Sequence, residues 1–354
     1  MKKLMFSVMC AVTCLIGVNC FGAGQQNQDQ LNLMNLQRHP GDVFITIYNQ
    51  TGANLYVYVF KYNNNPGTIP GVQVNMGGSS GVLPAGNKGI INLANYPDFG
   101  SNNGNRIYFS DTPLTSSILA GYAPDEFNSS VGGNQNWSFA EYNYNPNDDP
   151  AGSMTFIIDL SFIDGYSFPM TIKFTQPSGG SSYTGCQWNF VYGLTSMGTI
   201  KTELNAQGTA WGNLVDDDAD HAATYTRIVG PDKVWAAGAT APARFNTFTT
   251  TYPYNATQLF PASGSQSAYT NFNGWLNLLP PLNPWGISPY SDPTPETTGY
   301  AVALLAAAGY ANDYGDSSYR RGFYIYCQDQ HAGSEFDYVP EGTPCMITVY
   351  SKSF

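Results

Sequence analysis

The sequence predicts a mainly β protein with a mixed α/β part. Three observations carry that prediction. Short runs of alternating apolar and polar residues recur from Asp42 onward, separated by Gly, Asn and Pro turn signals. After Cys186 the texture changes, and apolar residues fall at helical spacing. Near the end, residues 323–327 and 346–350 return to strand-like runs.

The elements follow in order. Residues 42–48 alternate and open the β-region, and residues 55–62 follow after the turn signal Asn49-Gln50-Thr51-Gly52. Further strands are expected at 89–93, 106–110, 139–144, 154–162 and 170–174. Short strands with such turns indicate a sandwich or a barrel. Ile200, Leu204, Trp211 and Leu214 then lie at roughly helical spacing, which Gly208 weakens. Residues 225–229 are a strand candidate. Residues 271–295, with Trp275, Trp285 and many prolines, are expected to be rich in loops. Residues 298–310 form a helix by propensity. No internal repeat is visible.

The first residues stand apart from this pattern. Lys2 and Lys3 precede an apolar stretch, residues 4–18, of signal-peptide length, and small residues follow at Gly22, Ala23 and Gly24. Asn19 before Cys20 fits poorly with a lipoprotein signal. The expected organisation is a signal peptide at 1–24, a polar flexible leader at 25–40, a β-domain at 41–186, a mixed α/β subdomain at 187–300, and a return to the β-domain at 301–354. The expected location is secreted or periplasmic.

Composition excludes some partners. The formal charge is −11, and losing Lys2 and Lys3 with the leader would take it to −13. Nucleic acid and anionic membranes both require a basic surface, so neither is expected. No stretch after the leader is long and apolar enough for a helical span, so membrane insertion is not expected either. Only 11% of residues are charged, while Tyr alone contributes 25 residues. That polar, uncharged texture suits a β-rich exported protein. Cys186, Cys327 and Cys345 remain beyond the leader, an odd number, and Cys327 with Cys345 is the expected pair.

Chemistry has to be sought among carboxylates. The chain holds no zinc-protease signature, phosphate loop or dinucleotide fingerprint. His39, His221 and His331 form no recognisable nucleophile–base arrangement. Asp216, Asp218 and Asp220 begin like a calcium loop, but His221 takes the place of the Gly and Arg227 that of the Glu. A solvated acidic loop is expected there, with no metal and no cofactor. Glu141, Asp159 and Asp164 instead sit inside apolar and aromatic strands, where a carboxylate loses solvation and needs a reason. Period-2 alternation puts Phe139, Glu141 and Asn143 on one face, with Ala140 and Tyr142 on the other. Asp159 and Asp164 are five apart, so an unbroken strand would point them to opposite faces. Either the chain bends near Gly165 and re-aims one of them, or only one faces a cleft. The bland reading of each is a surface or ion-paired residue. The functional reading is acid/base chemistry on sugars.

Residues 155–170, TFIIDLSFIDGYSFPM, resemble a motif of the thaumatin-like superfamily through Asp159, Ser161, Asp164, Gly165, Tyr166, Pro169 and Met170. Residues 139–142 resemble that superfamily's A-E-F strand, and Arg106-Ile107-Tyr108 its G-R-I-W strand, with Asn105 in place of Gly. Tyr310-Ala311-Asn312-Asp313 is similar to its closing S-Y-x-x-D. The order is kept from about residue 42 to the end. Length, few cysteines, and the stretches RIYFS and YTRIVGPDKV are more similar to the glycoside hydrolase family 64 branch than to the disulfide-rich plant members. Leu305 to Ala308 occupy the region where plant members carry a further cleft Asp.

That resemblance implies a thaumatin-like β-sandwich or barrel with a smaller α/β subdomain flanking a wide groove. It implies a β-1,3-glucanase that inverts configuration, with Glu141 as general acid and Asp164 as general base. Glu141 would be kept protonated by its apolar strand. On the same matches Asp159, Tyr142, Tyr166, Arg106 and Asp313 would bind substrate. The expected partner is a β-glucan polysaccharide, and the expected state is a monomer. The alternative is a lectin-like, non-catalytic β-glucan-binding protein.

Overall fold

The computed structural model describes residues 42–60, 71–96, 105–120, 127, 133–144, 155–162, 164–176, 188–216, 225–237, 241–251, 300, 303–304, 306–309, 323–324, 336–340 and 342–354. Its strands are β1 (Phe44–Gln50), β2 (Tyr56–Phe60), β3 (Val72–Gln73), β4 (Lys88–Asn92), β5 (Asn105–Ser110), β6 (Trp137–Asn143), β7 (Thr155–Ser161) and β8 (Gly165–Tyr166). There follow β9 (Met170–Phe174), β10 (Val191–Gly193), β11 (Val215–Asp216), β12 (Arg227–Val229), β13 (Phe323–Tyr324), β14 (Phe336–Pro340) and β15 (Cys345–Tyr350).

Two large sheets carry the fold. The first has the order β10-β9-β15-β1-β4, in which β1 and β15 pair in parallel. The second is seven-stranded and runs β13-β7-β6-β5-β2-β3, with β14 also on β7. Alternation explains their packing. In the first sheet Ile47, Ile347 and Ile172 stand in register and are fully buried. In the second, Val59, Ile107, Ala140 and Leu160 form the equivalent row. All belong to one apolar core, as expected of a sandwich.

Local chemistry sets the boundaries. The turn after β1 is closed by Asn49, whose Oδ1 accepts from the Thr51 amide at 3.0 Å and whose Nδ2 donates to the carbonyls of Ala53 and Leu83 at 2.8 Å. Gly52 supplies the positive φ, +83°, that this turn requires. The helix Met197–Ala206 starts at Ser196, whose hydroxyl accepts from the Thr199 amide at 3.2 Å. It ends before Gly208, at φ +126°, and a short helix Thr209–Gly212 follows. The helical spacing of Ile200, Leu204 and Trp211 therefore covers two helices, and Gly208 is the break. Tyr300, Ala303, Leu304, Ala306 and Ala307 are helical, within the span expected from propensity. Among the described residues no helix is long and apolar enough to cross a membrane.

The strand candidate at 225–229 shrinks to β12 and joins β8 and β11 in a third, three-stranded sheet. Cys345 is buried in β15, whereas Cys186 and Cys327 lie outside the described residues. The same holds for residues 1–41, the three histidines, Trp275, Trp285 and Asp313.

Candidate active site

The face of the seven-stranded sheet that turns away from the main core carries rows in register. Phe60, Arg106, Glu141 and Asp159 form one row across β2, β5, β6 and β7. Tyr58, Tyr108, Phe139 and Ser161 form the next, and Tyr56, Ser110 and Trp137 follow. The aromatic members pack as a second apolar cluster under Leu114 and Ile118, beside the short helix Ser116–Ala120. The Leu114 amide donates to the Tyr58 hydroxyl at 3.1 Å and ties that cover down. The aromatic end of the face is therefore closed. The polar end keeps some solvent contact, at 16% for the Arg106 side chain and 13% for Glu141.

Arg106 organises the polar end. Its Nε lies 2.9 Å from Glu141 Oε1 and donates to it. Its Nη1 lies 3.9 Å from Asp164 Oδ2 and donates to the Tyr108 hydroxyl at 3.3 Å. Its guanidinium stands over the Phe139 ring, 4.4 Å from the centroid, which fixes the plane of the fork. One planar guanidinium between two carboxylates limits those two oxygens to a separation of no more than about 9 Å.

Asp164 reaches this site because the chain bends. β7 ends at Ser161, opposite Phe139. Asp164 lies in a bend, and Gly165 and Tyr166 leave for the third sheet, where they pair with Val229 and Ile228 of β12. The sequence left open whether Asp159 and Asp164 could share a side. The break before Gly165 resolves it, because both carboxylates now stand beside the same arginine row. Asp159 is directly opposite Glu141 and only 3% exposed.

Several expectations are corrected. Tyr142 is on the core side of β6, 1% exposed, and its hydroxyl donates to the Tyr96 carbonyl at 3.0 Å. Tyr166 is fully buried, edge-on to Phe162. Burial pushes its phenol well above the usual tyrosine range. Neither ring can stack on a sugar, because both fill the apolar core. Glu141 is not in wholly apolar surroundings, since the Arg106 guanidinium lies at hydrogen-bond distance. The supposed solvated acidic loop is also wrong at its first residue. Asp216 is fully buried in β11, with Arg244 Nη2 donating to its Oδ2 at 2.7 Å.

Two contributors were not predicted as site residues. Lys233, in the helix Pro231–Ala237, places its Nζ 2.9 Å from Asp164 Oδ1. It lies in YTRIVGPDKV, the stretch that resembles the family 64 branch, and that match was the signal that could have found it. Ser138, on the core side of β6, is hydrogen-bonded to the chain that returns after Asp164. Among the described residues no group of His, Cys, Asp and Glu side chains is arranged to hold a metal ion.

No family model matches this chain, and no curated protein matches it. Solved structures do. A β-1,3-glucanase domain (GH64) from Clostridium beijerinckii is similar at a TM-score of 0.51 and 16% identity, over 88% of this chain and 99% of that one. A laminaripentaose-producing β-1,3-glucanase in complex with laminaritetraose is similar at 0.51 and 14% identity, over 89% of this chain and 100% of that one. At such identity the likeness is one of fold, and this chain is similar in fold to glycoside hydrolase family 64 β-1,3-glucanases along most of its length.

Proposed function

We propose that this protein is an exported glycoside hydrolase that cleaves β-1,3-glucan to short oligosaccharides with inversion. One observation carries the proposal: Glu141 and Asp164, from separate elements, converge on a single arginine at the half-open end of a sheet face. The carboxyl groups of inverting glycosidases stand about 6.5–9.5 Å apart, and the bound set by Arg106 accommodates that spacing. The fold likeness supports the substrate class, because the similar structures include one described as complexed with laminaritetraose.

Glu141 acts as general acid and Asp164 as general base. Asp164 is suited to its part: Lys233 holds Oδ1, which leaves Oδ2 towards Arg106 and the Glu141 side to take a proton from water. Glu141 has to carry a proton to serve as the acid. Sugar hydroxyls entering the face take over the donors of Arg106 and release the Glu141 carboxyl from the ion pair. Arg106 thus binds substrate and frees the acid in one event. The leader is removed, and the protein acts as a monomer outside the cytoplasm.

The ion pairs also favour a second reading, a lectin-like protein that binds glucan without turnover, since both carboxylates are engaged by cations. Incubation with laminarin separates the two. Release of reducing ends, abolished in Glu141→Gln, supports the hydrolase. Binding without release supports the lectin, and release that survives Glu141→Gln removes Glu141 as the acid.

A further inference from the structure

Asp164 belongs to no strand, so something other than a sheet ladder has to hold it. Beyond Ser161, the last residue of β7, Trp137 and Ser138 of β6 have no β7 partner. The returning chain takes that place. The Ser167 amide donates to the Trp137 carbonyl at 2.8 Å, and the Trp137 amide donates to Ser167 Oγ at 3.2 Å. The Ser138 hydroxyl, fully buried, accepts from the amides of Ser167 at 3.1 Å and Phe168 at 2.8 Å and donates to the Phe168 carbonyl at 3.0 Å. On the other side of the excursion, the Tyr300 hydroxyl donates to the Phe162 carbonyl at 2.7 Å. At the tip, the Gly230 amide donates to the Asp164 carbonyl at 2.6 Å.

We propose that Ser138 is a positioning residue for Asp164, closing the base of the excursion that presents this carboxylate to the Glu141 side. One hydroxyl satisfies the Phe168 amide and carbonyl, which have no ladder partner, and shares the Ser167 amide with the Trp137 carbonyl. Removing it leaves buried polar groups unmatched, and the segment must shift to pair them again. The effect on turnover rests on the glycosidase reading. The effect on the segment rests on the hydrogen bonds alone.

Two measurements on the full chain test this. Amide exchange in Ser138→Ala is expected to quicken about tenfold or more at Ser167, Phe168 and Gly230 and to stay unchanged in β1 and β15. On laminarin, kcat is expected to fall about 10- to 100-fold with KM within about threefold, since a displacement of about 1 Å is enough for such a loss. Thr171→Val removes another buried hydroxyl, in β9 of the other sheet, and is expected to leave kcat unchanged. If Ser138→Ala does not fold, Ser167→Ala, which removes only the bond to the Trp137 amide, is expected to show the same pattern at smaller amplitude. Unchanged exchange at the three amides overturns the proposal. So does quickened exchange with wild-type kcat, or an equal loss in Thr171→Val. A wild-type protein that releases no sugar sinks the glycosidase reading instead, and the exchange at Gly230 then decides the positioning claim.

Discussion

Two carboxylate–guanidinium groups stand at the two ends of one aromatic strip, and they are built for opposite ends. At one, Arg106 lies over Phe139 and bridges Glu141 and Asp164, whose side chains keep 13% and 15% exposure. At the other, Arg227 lies 5.5 Å from the Trp137 ring and 4.3 Å from that of Tyr225, beside the pair of Asp216 and Arg244. The Trp137 and Phe139 rings stack at 6.2 Å and connect the two groups. Asp216 and Arg227 are 0% and 1% exposed. Arg244 also donates to the Tyr225 hydroxyl at 2.9 Å. The same ion types make a closed brace at one end and a reachable site at the other. Charge type does not separate the two roles, but solvent access to the carboxylates does, since Arg244 itself keeps 22% exposure.

The largest effects should come from breaking the open group. Glu141→Gln and Asp164→Asn are each expected to lower laminarin hydrolysis by about 100- to 10,000-fold, the range for a lost acid or base, with little change in melting temperature. Asp216→Asn is expected to do the reverse. It removes the counter-charge of Arg244, which itself keeps 22% exposure, so the cost is expected at about 3 kcal/mol, the low end for a buried pair, and it reduces activity only in proportion to unfolded protein. Denaturant titration beside initial rates reads both, and a swap of these patterns would break the comparison.

Smaller changes sharpen it. Lys233→Met frees Oδ1 of Asp164 and is expected to lower kcat about tenfold with a stability change under about 1 kcal/mol, because a partly exposed pair contributes little. Lys233→Arg should recover most of that loss. Steady-state kinetics on the two variants checks it.

The smallest effect concerns alkaline pH. Burial raises the phenol of Tyr166, and burial followed by the Asp216 charge raises that of Tyr225. Both are reluctant to ionise in the folded state, so their contribution is complete below the ordinary tyrosine value of 10.0 and is lost as pH rises past it. Stability is thus expected to decline above about pH 10, and Tyr166→Phe should soften that decline in a pH series of thermal melts.

Much of the fold was legible. Alternation located β1, β5, β6, β7, β9 and β15 to within a residue or two, and Gly208 was marked as a weak point of a helical stretch. Alternation also assigned Glu141 to the face opposite Tyr142. The short strands β3, β8 and β10 were not legible, since two or three residues carry no period.

The sequence by itself determined which residues face which side of a strand, because side-chain direction follows a period of two whatever the chain does later. That put Glu141 and Phe139 together, whereas Asp159, Asp164 and Gly165 stood out only through their resemblance to a family motif. Only the tertiary structure decided which carboxylates meet a cation and which meet water. Arg106, Asp164 and Lys233 come from β5, a bend after β7 and a helix after β12, and no local rule fixes the distance between them. Burial of Tyr142, Tyr166 and Asp216 was settled the same way, since a face becomes core or site only when another element covers it or leaves it open.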